Sequence, residues 1–283
     1  MEALPHPREG ERLQALHSYE ILDTDPEKDF DDIAKLAANI CDAPIALVSF
    51  VETDRQWFKA KVGLGVEETP IRASICSHVI LANEFVEIPD TLEDPRTLDN
   101  PLCCGEPGLR FYAGALLQTE EGMPIGTLCV LDYEPRTLTP LQRDTIRVLA
   151  RQVMAQLDMR KALNIAKLLR QEVDHRVKNS LHSLSALVRL IGRQAASDET
   201  NQALSTINSR IEAVAALHAE LYRTDAGPVI DLAEYTRNLG THFSAVAPHN
   251  VALELEVEPI EVSSRQAVAV GTLMNEFVAN AFK

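Results

Sequence analysis

The sequence has no long apolar run, and it is short of positive charge. No segment approaches the roughly 18–20 consecutive apolar residues of a membrane span, and the N-terminal stretch MEALPHPREGERL lacks the apolar core of a signal peptide. We therefore expect a cytoplasmic protein with no membrane partner. The 27 Lys and Arg stand against 42 Asp and Glu. This balance argues against nucleic-acid binding, because phosphate contacts require concentrated positive charge.

The sequence also lacks any CxxC pair, and its five cysteines are an odd number. A zinc site or a disulfide framework is therefore not expected. Cys41 and Cys129 lie in apolar runs and are predicted to be core residues, whereas Cys103 and Cys104 are predicted to lie in a loop flanked by Pro and Gly. With 283 residues, 46% of them hydrophobic and 24% charged, the chain is typical of a globular protein with two domains or one extended domain.

The first 150 residues predict an antiparallel sheet with helices packed on one face. A short helix is predicted over 10–23, and apolar residues three or four positions apart predict an amphipathic helix over 27–42. That apolar stripe consists of Phe30, Ile33, Leu36, Ala37 and Ile40. Runs rich in β-branched and aromatic residues predict two hairpins. Their strands are 44–52 with 56–63 and 110–118 with 124–132, and the Pro-rich segment 64–109 between them is predicted to be irregular and functional.

A long helix is predicted to begin after Thr139, a favourable N-cap followed by Pro140. No further Pro and no Gly occur before Gly192. Apolar residues in the second half follow a heptad-like seam. The seam consists of Val173, Val177, Leu181, Leu184, Val188 and Ile191, and a following helix carries Leu204, Ile207, Ile211, Val214, Leu217 and Leu221. The two helices predict a hairpin, and two such hairpins complete a dimeric four-helix bundle.

His175 lies on the predicted long helix, roughly 200° from Val173 and Val177, so we expect it to face outward. Because imidazole is largely neutral near pH 7, its ring nitrogen is a competent nucleophile. Glu172 and Asp174 are the candidates to orient the ring. The competing His182 and His218 are interpreted as structural.

The C-terminal part predicts two short strands over 250–263 and a helix over 265–283. Glu276 and Asn280 are four residues apart and therefore share a helix face. A carboxylate and a carboxamide so placed can hold a Mg²⁺–nucleotide complex, since hard cations prefer oxygen ligands. From the residues alone, a surface Glu and a helix-terminal Asn are the favoured explanation of the pair.

Four segments together resemble the GAF domain family over roughly residues 20–157. They are IALVSFVETDRQWFKAKVGL, SICSHVI, IPDTLEDPRTLDNPL and RFYAGALLQTEEGMPIGTLCVLD. The resemblance implies a sensor module for a small-molecule ligand that the family does not specify. Cys76-Ser77-His78 is superficially similar to the bilin attachment site of phytochrome-type GAF domains. The surrounding sequence departs from that pattern, so Cys76 is predicted to be a small buried residue lining the pocket.

The segment EVDHRVKNSL resembles the HRxxN motif of bacterial histidine kinases with the second type of dimerisation and phosphoacceptor domain, which is related to the HWE group. The resemblance continues through residue 239. It implies that His175 accepts the phosphoryl group and that Arg176 and Asn179 occupy the other two motif positions.

NEFVANAFK resembles the N box that opens the ATP-binding domain of histidine kinases. This resemblance implies that Asn280 coordinates Mg²⁺, that Glu276 polarises the reacting group and that Lys283 reaches a phosphate of ATP. The glycine-rich boxes that follow the N box in the family do not follow Lys283 in this sequence. We therefore expect an incomplete ATP-binding domain, in a fragment or in a naturally truncated chain.

These observations predict an α+β chain in three parts. Residues 1–157 form the GAF sensor domain with its N-terminal helix, and a long connecting helix follows. Residues 158–228 form the dimerisation and phosphoacceptor hairpin, and residues 229–283 are the start of an α/β ATP-binding sandwich.

The predicted function is that of a two-component sensor histidine kinase, a homodimer that uses ATP and Mg²⁺ and is regulated by its GAF domain. It would phosphorylate His175 and pass the phosphoryl group to an aspartate of a response regulator receiver domain. Two alternatives stay open. One is a catalytically silent phosphotransfer or adaptor protein, and the other is a ligand-binding module whose helices serve as a dimerisation stalk.

Overall fold

The computed structural model describes residues 3–82, 85–194, 197–223, 229–247 and 251–281. The chain divides into two compact units, Met1–Ile165 and Ala166–Lys283. The first unit contains an antiparallel sheet with helices and the second is mainly helical, which confirms the α+β class.

A six-stranded sheet forms the first unit, and every neighbouring pair of strands is antiparallel. The strands are β1 (Ile45–Val51), β2 (Arg55–Val62), β3 (Glu68–Pro70), β4 (Val86–Ile88), β5 (Phe111–Gln118) and β6 (Pro124–Asp132). Their spatial order is β3-β2-β1-β6-β5-β4. β1, the first strand of one hairpin, therefore lies beside β6, the last strand of the other, at the centre of the sheet. Both predicted hairpins are confirmed, because β1 pairs with β2 and β5 with β6.

The described residues form eight α-helices and a 3-10 turn at Ile71–Ala73. They are α1 (Glu9–His17), α2 (Lys28–Cys41), α3 (Cys76–Val79), α4 (Pro101–Cys104), α5 (Pro140–Gln194), α6 (Asp198–Arg223), α7 (Leu232–Val246) and α8 (Ser264–Ala281). Helix α1 is shorter than the predicted 10–23. The segment around Cys103 and Cys104 forms α4 rather than the predicted loop, with Asn100 accepting a hydrogen bond from the Leu102 amide as its N-cap.

Both faces of the sheet are covered, and the predicted packing of the flanking helices on one face is confirmed. Residues of α1, α2 and the first part of α5 pack on one face, for example Leu16, Phe30 and Val153. The crossover between β3 and β5 covers the other face, through Val79 of α3 and Cys103 of α4. The alternation of side chains along each strand therefore supplies two separate apolar layers.

Helix α2 buries a stripe that differs from the predicted one. Phe30, Ile33 and Ala37 are buried as predicted, but Leu36 and Ile40 are exposed. Ala34, Ala38 and Cys41 lie in the core in their place. The small alanines let the helix approach the sheet closely, and this rotates the buried face away from the larger Leu36 and Ile40.

Helix α5 is a single helix of 55 residues. Its start confirms the predicted cap, because the Gln142 amide donates to Thr139 Oγ1 at 3.3 Å and Gln142 Oε1 accepts from the Thr139 amide at 2.9 Å. This reciprocal arrangement is a capping box. Within the first unit, the Tyr19 hydroxyl donates to Asp158 Oδ1 at 2.7 Å.

The second unit combines helices with a two-stranded sheet of β7 (Val229–Asp231) and β8 (Glu261–Ser263). The prediction of two strands within 250–263 is wrong, because among the described residues 251–263 only 261–263 is a strand and its partner precedes α7. Pairing with a distant segment, rather than local sequence, selects the strand. Tyr235, Leu239 and Phe243 of α7 form a small core with Ala267 of α8. In the described part of the chain, no helix is long and apolar enough to cross a membrane.

Candidate functional site

His175 lies in the second half of α5 with its side chain exposed. Asn179 is also exposed and stands one turn further along the same face. The predicted outward orientation of His175 is therefore confirmed. A ring nitrogen in this position is accessible to a reactant that approaches from solvent.

The charged side chains described near His175 do not contact its imidazole. Arg176 Nε donates to Glu172 Oε1 at 2.7 Å, so this carboxylate is already engaged. Asp174 is half-buried, and its Oδ1 has no hydrogen-bond partner. Among the residues that the structure describes, no side chain pairs with the imidazole, and the two predicted orienting carboxylates do not contact it in this chain.

The apolar seam of α5 is only partly covered within one chain. Within one chain, Val177 is half-buried and Val173 is 57% exposed. Leu184, Leu187 and Ile191 are also about half exposed. Each helix of a two-helix hairpin can bury only the side that meets its neighbour, so a second apolar side stays uncovered.

A groove of about 290 Å³ lies between α5 and α6. Its lining residues are Lys178, Leu181, His182, Ser185, Arg189, Ile211, Glu212 and Ala215. Ser185 crosses the hairpin, since its hydroxyl donates to Asn208 Oδ1 at 2.7 Å while Arg189 Nη2 donates to the same hydroxyl at 2.8 Å. His182 is exposed at this groove, and His218 is half-buried on α6. These polar contacts fix the pairing of the two helices.

Helix α8 carries the predicted nucleotide residues Glu276 and Asn280, both of which are exposed. Lys283 lies outside the described residues. Where the structure describes the chain, it contains no cluster of three or more His, Cys, Asp or Glu side chains that could hold a metal ion. The roles of Glu276 and Asn280 stay predictions that rest on their shared face.

The first unit contains a cavity of about 230 Å³ between the sheet and the crossover segment. Most of its lining is apolar, and Gln56, Cys76 and Tyr112 supply polar groups. Cys76 is buried and lines the cavity, as predicted. This is the position in which a small, largely apolar ligand would be enclosed.

Gly114 makes room for the polar groups of this cavity. It lies opposite Cys129 in the register of β5 and β6. A Cβ atom at Gly114 would lie 2.5 Å from the Tyr112 hydroxyl and 3.0 Å from the Cys129 Cβ. The glycine therefore lets the Tyr112 hydroxyl approach the two cysteines, a contact that sequence reasoning missed.

Two family models match the chain, one in each of its two units. Residues 25–157 match the family model of the GAF domain, and residues 172–247 match a histidine kinase family model, HisKA_2. The second match contains His175, Arg176 and Asn179. The chain thus carries the domains of a sensor histidine kinase-type signalling protein.

Among curated proteins, the chain is similar to a cyclic di-GMP phosphodiesterase of Pseudomonas aeruginosa, with 39% identity over 168 residues. The match covers 58% of this chain but only 28% of the relative, so the chain spans less than a third of that protein's length.

Two solved structures are similar to part of the chain. The GAF domain of an Acinetobacter phosphoenolpyruvate-protein phosphotransferase has a TM-score of 0.41 and 15% identity, covering 55% of this chain and 96% of that one. The corresponding GAF domain from Coxiella burnetii has a TM-score of 0.42 and 14% identity, covering 55% and 95%.

Proposed function

We propose that this protein is a histidine kinase that transfers the γ-phosphoryl group of ATP to His175 and then to an aspartate of a response regulator receiver domain. The observation that carries the proposal is the exposed His175 in the matched kinase segment, with Asn179 beside it on the same face. Arg176 follows His175 directly in the sequence, and its guanidinium is held by an ion pair with Glu172. A cation so placed favours the approach of a phosphate.

The first chemical step joins a ring nitrogen of His175 to phosphorus. The N–P bond forms as the bond between the γ-phosphorus and the bridging oxygen breaks, and ADP leaves. Such a transfer depends mainly on alignment and on charge stabilisation. An exposed imidazole suits both transfers, because the same nitrogen must meet ATP first and a receiver aspartate later.

Glu276 and Asn280 are the residues that we propose for the nucleotide site. Their side-chain oxygens stand four residues apart on α8 and are exposed, so the donor set fits a hard cation such as Mg²⁺. Asn280 would hold the ion and Glu276 would polarise the reacting group. When bound, Mg²⁺ supplies neutralisation of phosphate charge. Lys283 is proposed to reach a phosphate.

The phosphorylation test uses the full chain with labelled ATP and Mg²⁺. We expect acid-labile label on the unmodified chain and at least a 100-fold loss in His175→Ala, because the variant has no nucleophile at that position. His182→Ala is the matched control, since it removes an exposed imidazole two turns along the same helix. The control should keep more than half of the label.

Either of two outcomes would contradict this proposal. Equal labelling of His175→Ala and the unmodified chain would assign the nucleophile elsewhere. A chain that takes no label from ATP but accepts it on His175 from a phosphorylated receiver domain would be the silent phosphotransfer protein instead. Circular dichroism of each variant shows that the helices are retained.

We also propose that the kinase segment acts as a homodimer. Its support is the uncovered apolar side of the hairpin, with Leu184, Leu187 and Ile191 on α5 and Ile207 and Val214 on α6. Exposed apolar surface of this extent is typical of an interface. A second copy would bury it in a four-helix bundle.

Leu187→Glu is expected to weaken the dimer at least 100-fold, because Leu187 is 54% exposed in one chain and would place an unpaired carboxylate in the bundle. Sedimentation velocity over a concentration series measures the shift. Val148→Glu is the control, since Val148 is similarly exposed on α5 but belongs to the first unit. A Leu187→Glu chain that associates as tightly as the control would place the interface elsewhere.

Regulation by the GAF domain is the last part of the proposal. Helix α5 contains both Val153, which packs on the sheet, and His175. A small-molecule ligand in the cavity of the first unit would change the packing of the sheet against α5 and so bias the kinase segment.

A further inference from the structure

Two thiols lie together at the floor of the cavity in the first unit. Cys76 begins α3 and Cys129 lies in the central strand β6. Their sulfur atoms are 3.9 Å apart, and both side chains are almost fully buried, at 2% and 0% exposure. Neither is in a disulfide. The fold therefore brings into contact two cysteines that are far apart in the sequence.

The surroundings of Cys76 Sγ are unusually rich in hydrogen-bond donors. Thr127 Oγ1 donates to the sulfur at 3.0 Å and Gln56 Nε2 donates at 3.1 Å. The Tyr112 hydroxyl lies 3.3 Å away. A neutral thiol is a weak acceptor with one proton of its own. Several donors aimed at one sulfur therefore match the thiolate better than the thiol.

The two thiols differ in acidity for this reason. Burial by itself raises the pKa of Cys76, but hydrogen bonds from Cys129, Thr127 and Tyr112 outweigh burial and lower that pKa below its usual value. The pKa of Cys129 is raised well above its usual value, first by its hydrogen bond to Cys76 and then by burial. Cys76 is therefore the more nucleophilic sulfur of the pair, and Cys129 is the partner that keeps its proton.

The cavity connects this pair with the surface. Its lining includes Val66, Leu102 and Tyr133, which are exposed, together with the buried Cys76 and Cys129. The cavity volume of about 230 Å³ is several times the roughly 30 Å³ that one water molecule occupies. The mainly apolar lining favours a small neutral reactant over an ion.

We propose that Cys76 is a peroxide-reactive cysteine, that its substrate is hydrogen peroxide or another small neutral hydroperoxide, and that Cys129 resolves the product to an intramolecular disulfide. This site is independent of the phosphorylation chemistry proposed above.

The reaction balances in two steps. The Cys76 thiolate attacks one peroxide oxygen, so the S–O bond forms, the O–O bond breaks and the leaving oxygen takes a proton. The product is a sulfenic acid. Cys129 then loses its proton and attacks the Cys76 sulfur, so the S–S bond forms, the S–O bond breaks and water leaves. The two thiols supply the two electrons that reduce the peroxide. The sulfurs must approach from 3.9 Å to about 2.05 Å.

The experiment treats the full chain with hydrogen peroxide, blocks free thiols and maps the tryptic peptides. Cleavage after Arg and Lys places Cys76 in 73–96 and Cys129 in 111–136, whereas Cys41 lies in 36–55 and Cys103 and Cys104 in 97–110. We expect a disulfide-linked pair of 73–96 with 111–136, formed at least ten-fold faster than oxidation of the exposed Cys104. Oxidation of Cys104 ahead of both buried thiols would overturn the proposal.

Two variants separate the roles of the thiols. Cys129→Ala should form no disulfide and should accumulate a Cys76 sulfenic acid, which dimedone captures on peptide 73–96. Thr127→Val removes one donor to the sulfur at nearly constant volume and should slow the reaction of Cys76 about ten-fold. A thermal melt shows that each variant is folded. Folded Cys129→Ala in which Cys76 stays unoxidised, or Thr127→Val that reacts at the full rate, would contradict the proposed chemistry.

Discussion

The Lys59→Met variant is expected to lose about 1–3 kcal/mol of unfolding free energy in the first unit, because it removes a buried donor from its acceptors. The Lys59 side chain is 0% exposed. Its ammonium donates to Thr24 Oγ1 at 2.8 Å, to the Asp25 carbonyl at 2.6 Å and to Glu27 Oε1 at 2.7 Å. Methionine fills similar volume but leaves all three acceptors without this donor. Urea denaturation at pH 7 measures the loss.

The pH dependence gives this prediction a second measurement. Burial raises the pKa of Glu27, but its hydrogen bonds from Lys59 and Arg160 outweigh burial, so the net shift is downward. A carboxyl whose pKa is lowered by folding stabilises the protein above its unfolded-state pKa, and this contribution is lost as pH falls through the folded-state value. The difference in unfolding free energy between Lys59→Met and the unmodified chain should therefore become smaller as the pH is lowered.

Lys35→Met is the matched control. Lys35 is 62% exposed and lies 3.8 Å from Asp32 in a surface pair. Exposed pairs contribute about 0–1 kcal/mol, so the control should stay within about 0.5 kcal/mol of the unmodified chain. A Lys59→Met variant as stable as Lys35→Met would show that the buried contacts of Lys59 do not hold the segment 24–27.

The four long strands of the sheet could be predicted from the sequence, whereas the short strands could not. β1, β2, β5 and β6 are runs of seven to nine residues rich in apolar and aromatic side chains. β3 and β4 contain three residues each and form only because a neighbouring strand pairs with them. Local propensity carries little information about such strands. The same reason explains why the pairing of the short strand β8 with β7 could not be predicted.

The candidate kinase site could be predicted more fully than the cavity. His175, Arg176 and Asn179 lie within five residues of one helix, so a local motif and helix geometry together predict their placement. The cluster around Cys76 has a different origin, since Gln56, Tyr112 and Thr127 come from three separate strands. Only the folded sheet shows that these donors meet one sulfur. The sequence predicted a buried Cys76 but not the donors around its sulfur.

Gly126→Ala is expected to lower the stability of the first unit by about 3 kcal/mol or more, which is the upper range for overpacking. Gly126 pairs with Phe50 where the central strands β6 and β1 meet. A Cβ atom there would lie 2.0 Å from the Ser49 carbonyl oxygen and 3.0 Å from the Phe50 Cα. These are backbone atoms, so no change of rotamer relieves the contact, and the two strands must separate. Calorimetry should show a lower melting temperature by about 10 °C.

The control for this variant is Gly65→Ala, because a Cβ atom at Gly65 would meet nothing within 4 Å and its backbone is not in the left-handed region. The control removes the same flexibility of the unfolded chain without a steric cost, and should be neutral or slightly stabilising. The separation of β1 from β6 in Gly126→Ala should also disturb the hydrogen bonds at Cys76. The Ser49 hydroxyl lies 3.1 Å from the Thr127 hydroxyl, which donates to Cys76. We therefore expect folded Gly126→Ala, measured well below its melting temperature, to react with peroxide more slowly than Gly65→Ala. Equal melting temperatures would show that the central strands can accept a side chain at this position.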